Sequence, residues 1–173
     1  MSRSEPPARR ALAVLGSAAF LIFTPGIVAG LVPWWISRWE VQPPFLGFPP
    51  IRAFGVLLIV LGVPGLLDSF ARFALQGLGT PMPSFPTRHL VVTGFYRYVR
   101  NPMYLAVESV ILGQGMLLGN VNLLAYGVLV WLCTHLFVVG YEEPTLRKTF
   151  GAEYDAFCAN VPRWVPRPSP WSG

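Results

Sequence analysis

The segment HLVVTGFYRYVRNPMY, His89–Tyr104, decides how this chain is read, together with a second block, YEEPTLRKTFGAEY, at 141–154. The first block is too polar for a membrane span and too rich in Tyr, Arg and Asn for a mere connector. It leads into an apolar helix at Pro102, where Pro suits the first turn and Asn101 suits the cap. The second block opens with adjacent carboxylates, Glu142 and Glu143, where another apolar run ends. Two polar blocks that both abut apolar helices can face each other across one membrane surface, and the chemistry is expected there.

Outward from these blocks the chain is apolar. Of 173 residues, 53% are hydrophobic and only 12% charged, unlike an ordinary soluble domain. A helix needs about 20 apolar residues to cross the hydrocarbon region. Four segments come close, at 11–36, 51–75, 102–119 and 121–141. The expectation is an all-α integral membrane protein: a four-helix bundle forming a single domain over 1–173. From Glu142 to Asn160, Leu146, Phe150, Tyr154 and Phe157 recur every three to four residues. That spacing predicts a cytoplasmic amphipathic helix, interrupted at Gly151 and resting on the membrane face.

The net charge of +5 is placed as topology requires rather than as nucleic acid would require. Arg3, Arg9 and Arg10 precede the first span, and Arg72, Arg88, Arg97 and Arg100 surround the connection between the second and third. Arg147, Lys148, Arg163 and Arg167 follow the fourth, whereas only Arg38 and Arg52 flank the first connection. The positive-inside rule then puts both termini in the cytoplasm of a multi-pass protein of the inner, cytoplasmic membrane. Arg9-Arg10 and the apolar run after them resemble a signal peptide. The run continues through Trp34 and Trp35, beyond the roughly 7–15 residues of a signal h-region, so it is read as an uncleaved helix.

Along the chain, Thr24-Pro25-Gly26 predicts a kink in the first span. VQPPFLGFPP (41–50) predicts an extended outer loop, and Asp68 and Arg72 can pair at i,i+4. GLGTPMPSFP (77–86) must be a loop. The third and fourth spans form a tight hairpin through GNVN at 119–122, and the proline-rich tail carries Trp164 and Trp171 as interfacial anchors.

Three groups are chemical candidates. Neighbouring helix residues point about 100° apart, so one of Glu142 and Glu143 faces the bundle while the other meets water or Arg147. His135 stands two turns before Glu142 on the same side, either as a hydrogen-bonded interhelical residue or as part of a site. Glu108, four residues after Tyr104, is a carboxylate at membrane depth, where idle exposure to lipid is costly. It can serve as proton carrier, substrate ligand or partner of Arg97 or Arg100. Glu108 and His135 are the catalytic candidates. No Walker loop, no G-x-G-x-x-G, no H-E-x-x-H and no Cys/His cluster is present. Cys133 and Cys158 form no metal or redox pattern, so neither a metal nor a nucleic acid is an expected partner.

The two blocks in this order around a hairpin, with GLGTPMPSFPTRHLVVTGFYRYVRNPMYLA, YEEPTLRKTFGAEYDAF and VPRWVPRP, resemble the isoprenylcysteine carboxyl methyltransferase and phospholipid methyltransferase superfamily. The resemblance covers residues 77–168 and is greatest to its small bacterial members. It implies a membrane enzyme that uses S-adenosylmethionine as cofactor and a lipid-like or other hydrophobic small molecule as acceptor. Its motifs map the cofactor ligands onto His89, Leu90, Val91, Val92, Tyr96, Asn101, Pro102, Met103, Tyr104 and Glu142. Glu142 would accept from ribose hydroxyls or the amino group, and the Tyr96 and Tyr104 faces would favour a sulfonium cation. Arg100 or Arg97 is added here as a cation for the cofactor's carboxylate.

Enzymes of this group that act on isoprenylcysteine have His where Asn101 stands, and an Arg one turn before Glu142, where this chain has Val138. The resemblance therefore carries over the general cofactor site, whereas these two positions do not support the prenylcysteine substrate; the acceptor expected is isoprenylcysteine carboxyl- or phospholipid amine-like. Two other functions remain to be separated from catalysis: a non-catalytic partner protein on the same scaffold, and a small four-span transporter using Glu108.

Overall fold

The computed structural model describes residues 23–72 and 90–172. The first part of the expected initial span, the loop at 77–86 and His89 lie outside the described residues. What is described is helical, with no strand among it. Helix α1 is Phe23–Ser37, α2 is Pro50–Arg72 and α3 is Pro102–Leu118. Helix α4 is Val121–Phe150, and α5 is Ala152–Asn160. Single 3₁₀ turns stand at Phe45–Gly47 and Gly94–Arg97.

Two of these helices, α2 and α4, are long and apolar enough to cross a membrane. Helix α3, at 17 residues, spans roughly 26 Å at 1.5 Å per residue. Much of the apolar surface of the long helices is uncovered, with Leu61 at 63% and Leu136 at 70% exposure.

The most extensive helix pair is α2 with α3, and glycine makes it possible. A Cβ on Gly55 would stand 2.7 Å from the Gly113 carbonyl oxygen, and one on Gly113 would stand 2.7 Å from that of Gly55. Small residues let two apolar helices touch backbone to backbone, where dispersion and packing replace the missing hydrophobic drive. Helices α3 and α4 form the expected tight hairpin, with Gly119 at φ +70°. Asn120 caps α4 by accepting from the Asn122 and Leu123 amides.

The irregularity in α1 is not centred on Pro25. A π-helical stretch at Ile27–Leu31 ends two residues before Pro33, and a second at Val138–Glu142 ends two residues before Pro144. A proline ring crowds the carbonyl four residues back, and a π turn, bonded i→i+5, moves that carbonyl aside. For Pro33 the carbonyl is Ala29, and it is recovered by Gln114 Nε2 of α3 at 2.7 Å. The Tyr126 hydroxyl of α4 donates to Val28 at 2.9 Å. These bonds tie α1 to the hairpin.

The second π stretch changes another expectation. The chain does not leave the fourth span and start a separate amphipathic helix at Glu142. Helix α4 runs on to Phe150 because the π turn accommodates Pro144, and the break comes at Gly151, φ +53°. Beyond it, Tyr154, Phe157 and Val161 form a buried cluster with Leu90, Val92, Leu146, Phe150 and Trp171. Trp171 therefore packs against Phe157, with ring centroids 5.8 Å apart.

Candidate active site

The two polar blocks meet. The Tyr104 hydroxyl, one turn into α3, donates to Glu142 Oε2 at 2.8 Å. Beside them Tyr96 is 6% exposed and hydrogen-bonded to Ser69 of α2. Burial, reinforced by the Glu142 charge, holds its hydroxyl well above the usual tyrosine range, so it stays protonated. The turn that carries Tyr96 begins at Gly94, φ +55°, where a Cβ would also strike the Arg72 guanidinium. Arg72 is fixed by the expected pair with Asp68, at 2.7 Å.

Glu143 is the residue that sequence reasoning undervalued. Arg163 grips it through Nε at 2.6 Å and Nη2 at 2.9 Å, and Arg100 Nη1 approaches its Oε1 at 3.0 Å. The Glu143 side chain is only 10% exposed, and its hydrogen bond to Arg163 raises that guanidinium's pKa. Arg147, the partner expected for Glu143, instead binds Asp155 at 2.7 Å. The adjacent pair Glu142-Glu143 could have been linked to Arg100 by their shared end of the bundle, but nothing local points to Arg163, twenty residues on. Arg100, expected to hold a cofactor carboxylate, is committed here to Glu143 and to Cys158 Sγ at 2.8 Å.

The tail closes over the first block. Backbone bonds of 2.9 Å run from Arg100 N to Pro162 O, Arg167 N to Tyr98 O and Trp171 N to Arg97 O. Arg97 Nε donates to the Trp171 carbonyl at 2.6 Å. Asn101 does not cap α3 with its side chain; its Nδ2 donates to the Arg163 carbonyl at 3.2 Å. Pro102 and Met103 are buried, and Val91 with them, while Leu90 and Val92 pack into the Tyr154–Phe157 cluster. The backbone of Leu90–Val92 forms no backbone hydrogen bond among the described residues.

His135 and Glu142 do not share a stripe, because the π turn absorbs about one extra residue and rotates the register by roughly 100°. His135 Nδ1 accepts from Trp164 Nε1 at 3.0 Å. Its ring stacks on Trp131 of the same helix at 5.3 Å, so it joins helix to tail rather than helix to helix. Glu108 stays on the α3/α4 seam, with Oε1 3.0 Å from where a Cβ on Gly127 would stand.

With this geometry in place, the comparisons are specific. The model of the phospholipid methyltransferase family matches residues 51–153, from α2 into α5. The chain is 27% identical over 164 residues to protein-S-isoprenylcysteine O-methyltransferase B of Arabidopsis thaliana, covering 90% of this chain and 70% of that protein. It is 38% identical over 80 residues to the Schizosaccharomyces pombe protein-S-isoprenylcysteine O-methyltransferase, covering 45% of this chain and 34% of the relative. Over 103 residues it is 32% identical to a Laccaria bicolor phosphatidylethanolamine N-methyltransferase, covering 58% of this chain and 11% of the relative. With more than half of its length matched by the family model, the chain belongs to the phospholipid methyltransferase family and is a methyltransferase.

Proposed function

We propose that this protein is a multi-pass membrane enzyme, built as one domain of four spanning helices with both termini in the cytoplasm. It transfers a methyl group from S-adenosylmethionine to a lipid-like acceptor. The observation that carries this reading is the Tyr104–Glu142 hydrogen bond, which joins the two blocks at one end of the hairpin. The residues there fit such a cofactor in part. Glu142 has a second oxygen for ribose hydroxyls or the amino group, and the backbone of Leu90–Val92 is open to an adenine edge. Tyr104 and Tyr96 line the site, and Asn101, Pro102 and Met103 set the turn that presents Tyr104, with His89 belonging to the same stretch. Arg97, which uses only Nε for a hydrogen bond among the described residues, is a better cation for the cofactor's carboxylate than Arg100.

When bound, the cofactor supplies a methyl group already activated on a sulfonium. The protein's task is alignment and exclusion of water, and alignment alone is worth about 7–11 kcal/mol. Apolar surface exposed along α2 and α4 suits a hydrocarbon surround, from which a hydrophobic acceptor enters sideways. The test is transfer of labelled methyl from S-adenosylmethionine into the organic-extractable fraction of membranes containing the protein. Incorporation that depends on Glu142 is expected. No incorporation above membranes lacking the protein, by correctly folded protein across lipid extracts, would overturn the reading.

A further inference from the structure

Four consecutive tail residues, at 161–164, fasten the frame of the site. Val161 is buried in the cluster that includes Leu90 and Val92. The Pro162 carbonyl accepts from the Arg100 amide at 2.9 Å, and Trp164 donates to His135 of α4 at 3.0 Å. Arg163 makes polar contacts with both blocks. Its carbonyl accepts from Asn101 Nδ2 at 3.2 Å, at the start of the helix that presents Tyr104. Its guanidinium forks onto both oxygens of Glu143, with Nε at 2.6 Å and Nη2 at 2.9 Å. Arg100 Nη1 approaches a single oxygen, Oε1, at 3.0 Å, which fixes a position but not a plane.

Glu143 is also the residue that closes the second π turn. Its amide bonds the carbonyl of Val138, five residues back, and Val138 is buried. Glu142, which accepts from Tyr104, is the last residue of that turn. A π turn is one residue away from the ordinary α register, and a slip of one residue rotates a side chain by about 100°. Glu142 would then turn away from Tyr104. A planar guanidinium fork sets the orientation of the carboxylate it holds as well as its place, which a point charge does not. We propose that Arg163 is a positioning residue for methyl transfer: it clips the open end of the α3/α4 hairpin and holds the π turn in the register where Glu142 meets Tyr104. This rests on the reading of Glu142 as a cofactor residue.

The test is titration of S-adenosylhomocysteine into the full-length protein in nanodiscs, with thermal midpoints recorded alongside. Arg163→Lys keeps the charge and loses the fork. It should bind about tenfold more weakly while folded, the equivalent of one charge-assisted hydrogen bond. In a Tyr104→Phe background, which lacks the hydroxyl that Glu142 accepts from, the same change should cost little more, because effects transmitted through one contact are not additive. Trp164→Phe, which frees the same stretch of tail from His135, should bind as the wild type does even if its thermal midpoint falls. Wild-type affinity in Arg163→Lys, or an equal loss in both backgrounds, would overturn the inference and leave the cofactor reading standing. If Arg163→Lys does not fold, Glu143→Asp shifts the fork from its other side and is read in the same way. Failure of both variants to fold even with saturating S-adenosylhomocysteine would mean that the pair serves stability alone, against the inference. Wild-type protein that binds no S-adenosylhomocysteine would overturn the reading of Glu142 itself, and the inference with it.

Discussion

Tyr96 and Glu143 are buried polar side chains whose surroundings their positions in the sequence do not announce. Burial raises the Tyr96 pKa above its unfolded value of about 10. The folded state therefore holds that proton more tightly, and the stability this contributes is intact below about pH 10 and lost as pH rises through the folded value. The thermal midpoint of the wild type should fall more between about pH 9 and pH 11 than that of Tyr96→Phe. Equal falls would mean that Tyr96 titrates in solvent. Glu143 holds two guanidiniums with a side chain 10% exposed, and removing one partner of a buried ion cluster costs about 3–5 kcal/mol. Glu143→Gln should lower the thermal midpoint markedly, while Glu153→Gln, on exposed α5 surface, should leave it near wild type.

At the level of helices, packing and breakers decide what local pattern alone cannot. The α2/α3 contact is read from two glycines that face each other, and Gly113→Val would drive methyl groups into the Gly55 carbonyl. Overpacking of that kind costs about 1–3 kcal/mol or more, visible as a lower thermal midpoint in detergent. Gly140→Ala is the control in the same class of substitution, because a Cβ there meets nothing within 4 Å. It should be neutral or slightly stabilising, as alanine is the better helix former by up to about 1 kcal/mol. The apolar helices α2, α3 and α4 and the Gly119–Asn120 hairpin were legible because runs of that length and turns of that composition have few alternatives. The π turns were not. A proline signals a disturbance, but whether a helix kinks or widens depends on Gln114 and Tyr126 being near enough to take the freed carbonyls. For the same reason the register beyond Val138, and with it the separation of His135 from Glu142, could not be counted off in steps of 3.6.

Across the whole chain, the hairpin brings the two blocks together and the tail locks them. Tyr104 meets Glu142 across 38 positions and Asn101 meets Arg163 across 62. The first contact was foreseeable from block order around a hairpin. The second was not, because an extended proline-rich tail carries no period from which to deduce what it covers. The family to which the chain belongs makes methyl transfer the expected activity, and Glu142 is the residue on which the proposed cofactor site turns. The most direct measurement is calorimetric titration of S-adenosylhomocysteine into the purified protein, beside Glu142→Gln. Saturable binding by the wild type that the variant loses is the predicted result. Wild-type protein that is folded and monodisperse yet takes up no S-adenosylhomocysteine, or a variant that binds it equally well, would contradict the site described here.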